Sequence, residues 1–235
     1  MLHPEAETAS LLRAEPVPPL GRFADQEAWF ATRAAQAEAD GTGVDQVWVA
    51  CKYATPTWMA RTGWLERWGC KHYCNNIIHI EMVFRNSPTS TMVAYTIDKP
   101  DPTRPECGRV RAILPDPRET YPAPNWSRHL LSSLTPAERY GLMAFMERQI
   151  DKPFNANMYT NFLPVLGPLF AGESVVEEER YFCSQLVACA LRWIRPAQYA
   201  DIEPRRCSPA QLQAVLSAER STHMVLFRPV DTLEL

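Results

Sequence analysis

The chain has no excess of cationic charge, no apolar run of membrane-spanning length and no regular cysteine framework. Each absence removes a class of function. Lys+Arg 24 stands against Asp+Glu 27 in 235 residues, a net charge of -3, and the isoelectric point is near 6.0. No basic field attracts nucleic-acid phosphates, so nucleic acid is not an expected partner. The opening "MLHPEAETAS" has no cationic segment leading into an apolar core, so no secretory leader is expected, and no transmembrane segment is expected either. The seven cysteines, at 51, 70, 74, 107, 183, 189 and 207, are odd in number and unevenly spaced. That pattern favours free thiols in a reducing compartment, the cytoplasm or a particle assembled there. There is no internal repeat and no low-complexity tract beyond one proline-rich stretch.

What is present reads as a mixed α and β chain. With 46% hydrophobic residues, it can bury one core of ordinary size. Residues 1–22 hold four of the 21 prolines and read as an arm. Ala24 to Asp40 reads as a helix stopped by "DGTG", so 1–42 is taken as an N-terminal arm and helix before a domain over 43–235. "VDQVWVACKY", 44–53, is rich in β-branched and aromatic residues and predicts a strand. "TPTWMARTGWLERWG", 55–69, predicts a helix from Thr-Pro to Gly. "NIIHIEMVF", 76–84, is the clearest strand, and "TMVAYTID", 91–98, forms a hairpin with it.

From Lys99 to Asn125 the prolines predict a surface excursion interrupted by one short strand near Val110 to Leu114. "TPAE", 135–138, is a capping box that opens a helix over 136–149, and "SPAQ", 208–211, opens another to about Arg220. "HMVLFRPV", 223–230, reads as a closing strand.

Two segments carry chemistry. In "NIIHIEMVF" the period of two puts Ile77, His79, Glu81 and Val83 on one face and Ile78, Ile80, Met82 and Phe84, all core, on the other. His79 and Glu81 thus stand together, and a neighbouring carboxylate raises the basicity of an imidazole. The plain alternative is a polar pair on the solvent side of an amphipathic strand. In "RYFCSQLVACALRW", 180–193, Cys183 opens an apolar helix, where the positive end of the helix dipole favours a thiolate. Glu177, Glu178 and Glu179 oppose it unless they face solvent, and a cysteine is often a small buried residue. Cys189, mid-helix, is expected to be such a packing residue.

The order of these pieces, "GVDQVWVA", a helix, "HIE" on a strand, "DKPFN", then "YFCSQL" opening a helix, resembles the circularly permuted branch of the NlpC-type papain-like superfamily. That branch contains YiiX-like, poxvirus and lecithin:retinol acyltransferase-like members. The resemblance covers about Gly43 to Trp193. It implies an α+β permuted papain-like fold, a central antiparallel sheet packed against the nucleophile helix. It also implies Cys183 as nucleophile and His79 as base. In "DKPFN", Asp151 replaces the usual glycine and Phe154 the usual tyrosine. The third polar residue usually lies on the strand after the histidine strand. Here Glu81 is the first choice, with Tyr95, Thr96 and Asp98 as alternatives because the turn does not fix the register.

The implied function is a cysteine hydrolase (thiol protease or amidase) or acyltransferase that cleaves an amide, ester or thioester through an acyl-thioester. A peptide or a lipid acyl group would be the substrate, and no cofactor or metal is needed. The apolar run 154–172 suits an acyl pocket or an irregular core segment. The alternative function is a non-catalytic module of a larger assembly, with the N-terminal arm and the 99–125 loop contacting a protein partner. A zinc site at Cys70, His72, Cys74 and His79 has the right number of ligands but no standard spacing. The tryptophans at 48, 58, 64 and 68 suit core and interface packing better than a stacking platform.

Overall fold

A computed structural model describes residues 19–86, 91–104, 106–115, 121, 125–156 and 178–226. Five antiparallel strands form one sheet: β1 (Val44–Tyr53), β2 (Ile77–Asn86), β3 (Met92–Ile97), β4 (Val110–Ile113) and β5 (Trp126–Leu130). Their order across the sheet is β4-β3-β2-β1-β5. The helices are α1 (Phe23–Ala39), α2 (Pro56–Arg61), α3 (Trp64–Cys74), α4 (Pro136–Arg148), α5 (Cys183–Ile194) and α6 (Pro209–Leu226), with a 3-10 turn at Pro204–Arg206. The fold class is α+β.

Strand alternation separates two cores. Val49, Cys51, Ile80, Met82, Phe84 and Tyr95 face the helices, in one cluster with Leu142, Phe145, Leu186 and Ala190. Trp48, Ala50, Val83, Met92 and Ala94 form a smaller cluster on the other face with Tyr121. The proline-rich stretch, read from sequence as a surface excursion, thus contributes a side chain that covers the second face. Helix α1 belongs to the larger cluster. Phe30 is fully buried, and the Phe23 and Phe30 rings both pack on Trp193 of α5.

Local signals explain most helix starts. Thr135 accepts from the Glu138 amide at 3.2 Å, and the Glu138 carboxylate accepts from the Thr135 amide at 2.7 Å, a complete capping box. Ser208 and Gln211 repeat it at α6, at 3.3 and 2.9 Å. The single helix expected over 55–69 is instead two, broken at Thr62 and Gly63, both with extended backbone. The second runs through Gly69 because Gly69 is buried inside the helix. It stops at Asn75, whose φ of 50° is a conformation asparagine tolerates. The closing strand at 223–230 is also corrected. Residues 223–226 continue α6, since no proline or glycine interrupts the helix formers before them; 227–230 lie outside the described residues. Strand β5, unforeseen, is a short edge strand paired to β1 from Trp48↔Leu130 to Lys52↔Trp126.

Candidate active site

His79 enters the site through a bulge. Lys52 pairs with His79 but Tyr53 pairs with Ile77, so the register shifts by one residue there. An extra residue of this kind re-aims the neighbouring side chains. The shift corrects the simple alternation. Ile77 joins the core with Ile80 and Met82, while His79 and Glu81 stay on the opposite face. That face is not open to solvent, since Glu81 is only 3% exposed.

The β2–β3 ladder has Met82 opposite Tyr95, which brings Thr96 to the level of Glu81 and Asp98 to that of His79. His79 Nε2 lies 2.7 Å from Thr96 Oγ1 and 3.3 Å from Glu81 Oε2. Its Nδ1 lies 3.6 Å from Asp98 Oδ1, and Asp98 is itself paired with Arg111. Three of the four candidates for the third residue therefore surround the imidazole, with Thr96 nearest. Tyr95 does not, because it faces the helices and donates to Glu147 of α4. Glu81 has a further partner that sequence reasoning missed. Tyr121 donates to Glu81 Oε1, and Trp126 meets both the Tyr121 ring, at 5.0 Å, and the His79 ring, at 6.3 Å, edge to face. Burial first, then the Glu81 charge, pushes the Tyr121 hydroxyl up, which keeps it a donor.

Cys183 is the first residue of α5, after Phe182 with extended backbone at the cap. Phe182 has no side-chain acceptor to offer, so only the reciprocal half of a box is made, from the Phe182 amide to Gln185 Oε1 at 3.4 Å. The amides of the first turn are then free of intrahelical partners by the geometry of the helix. Ser184 donates to the Cys207 carbonyl at 2.7 Å and anchors the turn. "DKPFN" is clipped to "YFC" by two backbone bonds, Tyr181 N to Pro153 O at 3.0 Å and Asn155 N to Tyr181 O at 2.7 Å. Of the acidic run, Glu178 is held by Arg205 at 2.7 and 2.8 Å, Glu179 is exposed, and Glu177 lies outside the described residues.

Cys183 and His79 line the same cleft, and Cys183 is one of the groups that act on the imidazole. Burial acts on His79 first and would lower its pKa, but hydrogen bonds and charge from Cys183 and Glu81 outweigh it, and the imidazole is pushed up to about 10. Burial raises the thiols of Cys51 and Cys207 to about 12 and that of Cys70 to about 11, and those of Cys74, Cys107 and Cys189 are also raised by burial. Cys189 is the buried packing residue expected of it.

Comparison of the chain with protein-family models, with curated proteins and with solved structures finds no match.

Cys183 and His79 open onto a cleft of about 410 Å³. Trp58, Ile78, Ile97, Phe154, Phe182 and Pro209 give it an apolar wall, suited to the carbon skeleton of an acyl group. The run 157–172 proposed as a further lining lies outside the described residues. The four zinc candidates do not converge. Cys70, Cys74 and His79 line this cleft, whereas His72 lines another one between α3 and α6 and packs on Trp68. Among the described residues no group of three or more His, Cys, Asp or Glu side chains is arranged to hold a metal ion, and no helix is long and apolar enough to cross a membrane.

Proposed function

We propose that the chain is a cysteine-dependent hydrolase or acyltransferase on a permuted papain-like fold, acting on an amide, ester or thioester. The observation that carries this reading is that Cys183, at the start of α5, shares one cleft with His79, whose ring is held by Thr96 and Glu81. The order of histidine strand before cysteine helix, and the packing of α5 on β2, support the fold. So does Asp151, whose φ of 69° is the left-handed conformation for which the resembling proteins use glycine.

In the mechanism His79 takes the thiol proton of Cys183. The Cys183 sulfur attacks the carbonyl carbon, and the carbonyl electron pair moves to oxygen. The first-turn amides of α5 stabilise that oxyanion, each donor contributing about 3 kcal/mol at such sites. His79 then gives its proton to the leaving nitrogen, oxygen or sulfur as the bond breaks, leaving an acyl-thioester. Water or another acceptor attacks next. His79 takes the acceptor's proton, and collapse of the second oxyanion frees the product and the sulfur. Thr96 and Glu81 act as positioning residues, fixing the ring while it holds charge.

The test is alkylation of the folded protein with iodoacetamide at pH 6, with the labelled cysteine located by peptide mass spectrometry. Cys183 is expected to react at least about tenfold faster than the other six cysteines, and the preference is expected to vanish in His79→Gln. Equal, slow labelling of Cys183 in the wild type would overturn the reading and leave a scaffold on the same architecture.

A further inference from the structure

The cleft beside Cys183 carries six charged side chains besides His79: Lys52, Glu66, Asp98, Lys99, Asp101 and Arg104. Five of them are answered within the protein. Lys99 reaches Glu66 at 3.5 Å, and Arg104 reaches Glu106 at 3.0 Å. Asp98 is shared by Arg111 and His79. Asp101 accepts from the Thr103 amide and hydroxyl at 2.8 and 2.7 Å. His79 is balanced by Glu81. Lys52 is different. Among the described residues it has no carboxylate partner, and its ammonium stands over the Trp126 ring, 5.4 Å from the centroid.

A cation held over an aromatic face keeps its place without losing its charge. Lys52 is also the β1 residue directly paired with His79, so the same strand register that presents the imidazole puts Lys52 on the same face of the sheet. An uncompensated cation in a cleft with low-dielectric walls attracts an anion more strongly than it would in water. Trp58, Phe154 and Phe182 are among the apolar residues of the same lining.

We propose that Lys52 makes this cleft selective for acyl compounds that carry a carboxylate close to the reacting carbonyl. This inference rests on the reading of Cys183 as the nucleophile. The substrate then presents its carbon skeleton to Trp58, Phe154 and Phe182 and its negative charge to Lys52, with the carbonyl carbon between them at Cys183. Lys52 forms no bond in the reaction; it decides which carbonyl compounds are held there.

Iodoacetate and iodoacetamide have the same leaving group and nearly the same size, and differ in the carboxylate. Both reagents are applied in parallel to Cys183 of the wild type and of Lys52→Met, and the ratio of the two rate constants is read, so that a general change in thiol reactivity cancels. One unit charge removed at this range in a partly screened cleft is expected to lower the iodoacetate-to-iodoacetamide ratio about five- to tenfold. Lys52→Arg is expected to retain the ratio, and Lys52→Gln repeats the test with a polar side chain in case Lys52→Met does not fold. A ratio in Lys52→Met and Lys52→Gln within about twofold of the wild type overturns the anion selectivity while leaving the nucleophile standing. If iodoacetamide fails to single out Cys183 in the wild type, both readings fall.

Discussion

Replacing Cys183 by serine is expected to lower the titration midpoint of a different residue, His79. The folded protein raises His79 from 6.5 to about 10, with burial opposing the rise and Cys183 and Glu81 producing it. One pKa unit corresponds to about 1.4 kcal/mol, so the rise amounts to about 5 kcal/mol of preference for the imidazolium. Replacing the thiol by a hydroxyl removes one of the groups that raise His79 and leaves Glu81 in place. The midpoint is expected to fall in Cys183→Ser and, separately, in Glu81→Gln. The assay is an NMR titration of the ring Cε1–H, with His79 assigned among the five histidines by its loss in His79→Gln. The direction for stability follows from the same rise. The folded state holds this proton more tightly than the unfolded chain, so the contribution is whole below about 6.5 and is lost as the pH passes through about 10. Wild-type protein therefore loses stability relative to His79→Gln at the alkaline end. A wild-type midpoint at or below 6.5, or one unmoved by Cys183→Ser, would refute the pairing.

Two further changes test the frame around the site. A methyl group added at Gly141 would stand 2.7 Å from Phe23 Cε2 and 3.2 Å from Phe23 Cδ2, so Gly141→Ala is expected to cost about 1–3 kcal/mol by overpacking α1 on α4, measured by urea denaturation; a loss under about 0.5 kcal/mol would show that α1 yields freely. Asp151 has a side chain 74% exposed and a φ of 69°. Asp151→Gly is therefore expected to change the unfolding free energy by less than about 0.5 kcal/mol, and Asp151→Val to lower it by about 1–2 kcal/mol, because only the backbone conformation is at issue.

These features differ in how far they were legible in the sequence. Strand β1 and helix α4 were read nearly residue for residue, because a run of β-branched residues and a Thr-Pro-x-Glu cap are local statements. The split between α2 and α3 was missed because Gly63 was read as lying within a helix and Gly69 as ending one. Burial decided otherwise at Gly69. Cys183 and His79 were legible as residue types in context, but Thr96 was not separable from Tyr95 until the Met82↔Tyr95 pairing fixed which of them shares a face with Glu81. Tyr121 and Lys52 had no local signal at all. One reaches Glu81 from a proline-rich connection, and the other matters because its neighbours in the cleft are answered within the protein while it stands over the Trp126 ring.

The bulge that presents His79 lies in the second strand of the sheet, while Cys183 opens a helix about a hundred residues later in the chain. A ribosome adding about 5–20 residues per second takes roughly 5–20 s to cover that distance. During that interval the imidazole exists with no sulfur to pair with. The last pieces made, α5 and the turn that anchors Ser184, are the ones that complete the site. A chain released before Cys183 would therefore carry all five strands of the sheet and lack the sulfur that shares the cleft with His79.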